Sequence, residues 1–172
     1  MKVSKGAPVH PDSEGILEKI LHSFERYYNI QRQSLPSPFS AIAEFHSHSE
    51  QYFLIKPAHL ADIDSHEYVF FAEADSLDQD QFYQLAEKAW EEGLSRIHPA
   101  SGHRNSDVTL IILASKIEDA TFNLVKKIKK SKSYKLSFWG WSNFRALAYE
   151  SSTGSFATNR MGRDLKKLIS SL

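Results

Sequence analysis

Ala41-Ile42-Ala43-Glu44-Phe45-His46, Glu50-Gln51-Tyr52-Phe53-Leu54-Ile55-Lys56 and Glu67-Tyr68-Val69-Phe70-Phe71-Ala72-Glu73 decide the fold class, because aromatic and aliphatic residues suited to strands are densest there. The first two segments flank the polar tripeptide Ser47-His48-Ser49, and a Pro-containing loop leads to the third. They read as three strands in up-and-down order. With a three-residue turn, His46 faces Glu50, Glu44 faces Tyr52 and Ile42 faces Leu54. Alternation then puts Ala41, Ala43, Phe45, Phe53 and Ile55 on the buried side, and Ile42, Glu44, His46, Glu50, Tyr52 and Leu54 on the other. One long bent strand over residues 39–56 is the competing reading, but strands of that length are uncommon.

The rest of the chain supplies helices and further strands. Ile16, Leu17, Ile20, Leu21, Phe24, Tyr27 and Tyr28 recur at helical spacing behind Asp12 or Ser13 as cap. Ser76 and Gln79 form a capping box for a helix carrying Phe82, Leu85, Ala86, Ala89 and Trp90 on one stripe and ending near Ile97, before a loop over residues 98–106. Val108–Ala114 is apolar on both alternations except at Thr109, the pattern of a central strand covered on two faces. Ser115 and Glu118 form a second box, opening a helix with Phe122, Val125 and Ile128 inward. Asn143–Tyr149 and Ser155–Thr158 form a hairpin closed through Gly154, with a short strand at Tyr134–Phe138 ahead of it. Asn159 caps a last helix bearing Leu165, Leu168 and Ile169. The expected fold is α/β with a mixed sheet flanked by helices, order α-β-β-β-α-β-α-β-β-α. Residues 1–12 read as an N-terminal arm and 13–172 as one domain.

The 172 residues suffice for a sizeable core; 41% are hydrophobic and 24% charged, both ordinary for a globular chain. Without cysteine there is no disulfide framework and no thiolate chemistry, which fits a reducing interior. The first residues lack the apolar core of a secretion signal, and no run approaches a membrane span, so a cytoplasmic protein is expected, with no membrane partner. The zero net charge conceals a split. Residues 1–115 hold nine basic against seventeen acidic residues, a balance of −8, and residues 116–172 hold twelve against four, a balance of +8. Such asymmetry fits an acidic partner for the C-terminal part, or attraction between the two parts within one fold.

Two constellations carry candidate chemistry. Glu44, His46 and Glu50 would converge at the hairpin end, where two carboxylates and an imidazole suit a divalent metal or a general acid/base pair. A solvated sheet end with a His–Glu cross-strand pair is the alternative. Lys126, Lys127, Lys130, Trp139, Trp141, Arg145, Arg160 and Arg163 interleave cations with aromatics, the composition of a surface for an acidic partner, nucleic acid or protein. The alternative is a solvated helix face, with the tryptophans packed beneath a helix. His98, His103 and Arg104 form a candidate ligand rim. Ser115-Lys116 at a helix start invites an anion, but no Gly-rich loop accompanies it.

Two resemblances add to this. The αβββαβ beginning resembles the PD-(D/E)xK nucleases in element order, which implies an acidic residue and an Asp/Glu-x-Lys triplet holding Mg²⁺. Here the third strand ends Glu73-Ala74-Asp75 without a lysine, and Leu54 stands two residues before Lys56. The strings His103-Arg104-Asn105-Ser106-Asp107, Gly140-Trp141-Ser142-Asn143-Phe144-Arg145 and Thr158-Asn159-Arg160-Met161-Gly162 together resemble an uncharacterised family of bacterial conserved proteins, which supplies no activity. The leading expectation is a small binding or regulatory protein without cofactor, dimeric through an exposed aromatic strand. The alternative is a metal-dependent hydrolase, or a degenerate nuclease-like domain, using Glu44, His46 and Glu50.

Overall fold

A computed structural model describes residues 11–46, 64–99, 103–170 and 172. Helix α1 (Pro11–Phe24) is followed by strands β1 (Asn29–Gln31), β2 (Ala41–His46) and β3 (Asp64–Leu77), helix α2 (Gln79–Arg96), β4 (His103–Ile117), α3 (Asp119–Lys127), β5 (Ser131–Ser133), β6 (Trp141–Glu150) and β7 (Phe156–Thr158). A 3₁₀ turn (Arg163–Leu165) runs into the short α4 (Lys166–Ile169). The seven strands form one mixed sheet in the order β1-β2-β3-β4-β6-β5, with β7 also pairing β6. β3–β4 and β4–β6 are parallel, and the other pairs are antiparallel. The expected α/β architecture with a mixed sheet is therefore present.

Alternation along the strands builds two cores. Ile42, Phe70, Leu110, Ile112, Phe144 and Ala146 face α2 and α3, meeting Phe82, Ala86, Ala89 and Val125. Ala43, Val69, Phe71, Ile111, Leu113 and Leu147 face the opposite way, onto Leu17, Ile20, Leu21 and Phe24 of α1 and Leu165 of the C-terminal segment. The sheet is thus the middle of three layers, as short parallel crossovers through helices require. Residues 108–114 of β4 are buried on both faces, as their unbroken apolar run predicts. No helix among the described residues is long and apolar enough to cross a membrane.

Several local expectations give way to longer-range contacts. Residues 50–56, read as the second strand, lie outside the described residues, as do residues 1–10 of the predicted arm. The predicted hairpin register therefore lies outside the described residues; within them Glu44 has Asn29 of β1 on one side and Tyr68 of β3 on the other. The helix α2 is capped by Asp78 and Gln81 instead of Ser76 and Gln79, since β3 continues to Leu77. β4 likewise runs through Ser115 to Ile117, and Glu118 takes the N-cap position of α3 without a side-chain bond. Glu150, at the end of β6, instead accepts from the Ile117 amide at 2.5 Å. Tyr134–Phe138 is no strand, because Lys135, Leu136 and Ser137 all adopt positive φ, at 45°, 54° and 72°.

Asn159 also departs from its predicted role. It is buried, and its carboxamide oxygen accepts from the amides of Ala146 and Gly162, both at 2.9 Å. Its amino group donates to the carbonyls of Phe144 at 2.9 Å and Ile128 at 3.2 Å. All four hydrogen-bonding positions are filled, so this side chain pins the end of β7 to β6 and to the exit of α3, where a helix cap was expected. Gly154 in the β6–β7 connection has φ 74°, as the hairpin reading requires.

Candidate functional site

The predicted acidic-partner residues separate into three places. Lys126 and Lys127 are exposed in the last turn of α3, whose buried residues pack on one face of the sheet. Lys130 is half-buried, and its ammonium pairs with Glu87 of α2, so some of the charge asymmetry is indeed satisfied inside the fold. Arg160 and Arg163 are exposed, but Leu165 of the same segment packs on the opposite face of the sheet. Asn159, the neighbour of Arg160, bonds the Ile128 carbonyl at the exit of α3, so Arg160 follows a turn tied to the helix that carries Lys126 and Lys127.

Between α3 and β6, residues 134–140 form a tight loop. The Tyr134 amide donates to the Gly140 carbonyl at 2.9 Å, and the Phe138 amide to Lys135 at 3.1 Å. Three successive left-handed residues other than glycine cost on the order of 1 kcal/mol each, so this conformation is held by its surroundings. The Lys135 ammonium lies 3.6 Å from the Trp139 ring centroid, and Lys132 lies 5.5 Å from that of Tyr134. Leu136 and Phe138 project outward, 90% and 83% exposed, and Trp141 is 45% exposed. Neither tryptophan lies buried beneath a helix. The outcome is two uncovered apolar side chains on a short loop that also carries two lysines stacked over its aromatic rings.

Arg145 is a correction. It is buried, and its Nη1 donates to Glu67 at 2.5 Å while its Nη2 donates to both oxygens of Asp164 at 2.7 Å. Glu67 also accepts from Thr109 at 2.8 Å and from the Tyr28 hydroxyl at 2.5 Å. Burial works against the guanidinium's charge, but Glu67, Asp107 and Asp164 outweigh it and hold its pKa above the ordinary value. Arg145 therefore ties the sheet to the C-terminal segment and, through Glu67, to Tyr28 after α1, and its guanidinium is spent on these internal bonds. The physical reason is register: Arg145 sits between buried Phe144 and Ala146 in the middle of β6, opposite Thr109.

Of the predicted metal residues, Glu50 lies outside the described residues and His46 is placed only as the last residue of β2. Among the described residues no three His, Cys, Asp or Glu side chains gather as a metal-ligand set. Glu44, however, lines a cleft of about 490 Å³ at the amino ends of β3 and β4, together with His66, Tyr68, Ser106, Arg96 and His98. Register explains the grouping. His66 pairs with Ser106 and Tyr68 with Glu44, all on the face toward α2, just beyond where the apolar core stops. The Tyr68 hydroxyl donates to the Arg96 carbonyl at 3.0 Å, fastening the end of α2 to the sheet. Burial pushes the Tyr68 phenol up to about 12, the hydrogen-bonded Glu44 carboxylate adds to this and Arg96 opposes it, so the group remains a protonated donor. His66, Tyr68, Arg96 and Ser106 were not among the residues the sequence proposed for a site. The signal was the short polar end of each strand, but only the pairing of β2 with β3 and β3 with β4 brings them together.

Comparison with known proteins bears on the family alone. No curated protein and no solved structure matches this chain. A family model matches residues 12–171, nearly the entire chain, including all three strings that suggested an uncharacterised family. The chain therefore belongs to the family described as a domain of unknown function, DUF8052.

Proposed function

We propose that this chain is a small cytoplasmic binding or regulatory protein whose basic, aromatic surface around residues 126–141 takes up an acidic protein segment. The observation that carries this reading is the 134–140 loop, which spends backbone strain to hold Leu136 and Phe138 in solvent beside Lys132 and Lys135. Uncovered apolar anchors beside charged side chains have the anatomy of a protein-recognition hot spot. A nucleic acid would use the rings of Phe138 and Trp141 for stacking but has no complement for the aliphatic Leu136. Lys126 and Lys127 extend the field along α3 and would raise the encounter rate.

Fluorescence anisotropy with a labelled Glu/Asp-rich peptide containing leucines, and with single-stranded DNA and RNA, tests the reading at 50 mM and 300 mM salt. Saturable peptide binding that weakens about tenfold or more at the higher salt is expected, together with loss in Leu136→Ser and Phe138→Ser variants. Tighter binding of DNA or RNA would transfer the site to nucleic acid. No binding of any probe at low salt would sink it, and salt-sensitive self-association in sedimentation would identify a second copy as the occupant. The hydrolase reading keeps one supporting observation, the position of Glu44 in the cleft beside His66.

A further inference from the structure

The cleft at the amino ends of β3 and β4 is chemically unlike the basic loop, and its inference stands independently of the one above. Arg96 is the last residue of α2, and its Nε is buried with no hydrogen-bond partner among the described residues. A guanidinium N–H enclosed without an acceptor is costly, and a ligand acid group that draws the Arg96 head toward the cleft would give it one. The carbonyl end of a helix is ordinarily a poor place for an anion. Here the Arg96 carbonyl is covered by the Tyr68 hydroxyl, and the Leu94 carbonyl accepts from the Ile97 amide, so both point into bonds already made.

The other walls complete the chemistry. His66 and His98 bring imidazole groups from β3 and from the segment after α2, and the fully buried Ser106 of β4 lies beneath them as part of the floor. Arg96 supplies a planar fork suited to two oxygens of one acid group. Glu44 is the only carboxylate on the lining among the described residues, and it suits the hydroxyl of a ligand, not its charged end. Among the described residues, one fixed cation and two imidazoles against one carboxylate favour an anionic ligand that also carries hydroxyls. The volume of about 490 Å³ falls in the range of small-molecule sites and far below that of a macromolecular groove.

We propose that this cleft binds the phosphate monoester of a small hydroxylated molecule, with Arg96, His66 and His98 around the phosphate and Glu44 on a ligand hydroxyl. A sugar phosphate and a nucleoside monophosphate share this chemistry, and separate arms of the experiment distinguish them.

Isothermal titration and thermal shift are run with inorganic phosphate, glucose 6-phosphate, AMP, glucose and Mn²⁺ alone. The expected result is saturable binding of at least one phosphate monoester, at least tenfold tighter than glucose, with Arg96→Gln weakening it tenfold or more. His98→Ala removes an exposed side chain and keeps the fold intact; it should weaken binding at least threefold even if Arg96→Gln does not fold. Lys135→Gln, on the basic loop, should leave the affinity unchanged. Absence of saturable binding to all phosphorylated probes at 10 mM would overturn the proposal. So would binding unaffected by Arg96→Gln and His98→Ala but lost in Lys135→Gln, which would place the anion on the basic loop. Stabilisation by Mn²⁺ alone, with none by phosphate, would overturn it in favour of a metal site at Glu44.

Discussion

Among single residues, Arg145 shows how burial turns a charge from a surface feature into a structural one. Its guanidinium joins Glu67 of β3 to Asp164 of the C-terminal segment, and Glu67 is simultaneously held by Tyr28 and Thr109. Removing Arg145 strands Glu67 in a place water reaches poorly. Arg145→Met is therefore expected to lose about 3–5 kcal/mol of stability in urea denaturation. The double variant Arg145→Met/Glu67→Leu removes both charges and should cost clearly less than the sum of the two single variants. Additive losses would show that the pair is not coupled. An arginine flanked by Phe144 and Ala146 in a strand was a visible hint of burial, but its partners stand 78 and 19 residues away in sequence and no local pattern names them.

Among elements, the seat of α2 on the sheet depends on one missing side chain. A Cβ at Gly93 would lie 2.5 and 2.6 Å from the two methyl groups of Val108 and 3.1 Å from its Cβ. Val108 is β-branched, fully buried in β4 and has little freedom to turn away. In an open helix, glycine to alanine gains about 1 kcal/mol, whereas overpacking a core costs about 1–3 kcal/mol. The second effect wins here. Gly93→Ala is expected to destabilise by about 1–2 kcal/mol, and pairing it with Val108→Ala should return part of that loss in a denaturation cycle. A stabilised Gly93→Ala protein would mean that α2 can shift without cost. The helical stripe of Phe82, Ala86 and Ala89 was legible in the sequence because it depends only on the helix's own period. The close approach at Gly93 was not, since it depends on which strand lies underneath.

At the scale of the molecule, stability should be graded outward from β4. That strand lies between β3 and β6, and its residues 108–114 are covered on both faces. By contrast β1 and β5 are three-residue edge strands with largely exposed side chains. Amide hydrogen exchange is expected to be slowest in β4, opening only with global unfolding, and fastest in β1 and β5. Equal protection of β5 and β4 would contradict this layering. The segregated charge is resolved partly within the fold, through Arg145 with Glu67 and Lys130 with Glu87, and partly displayed on α3 and the 134–140 loop.

The amino-acid sequence by itself determined the helical faces, the doubly covered central strand, the β6–β7 turn and the mixed α/β class. Each follows from the period of apolar residues or from the φ that a turn demands, properties of neighbouring residues along the chain. Only the tertiary structure decided that Glu44 has neighbours on both sides, that Arg145 is inward and that Arg96, His66 and Ser106 share a cleft. Those facts depend on which strands pair and in what register, and shifting a strand by one residue would send the same side chains to the opposite face.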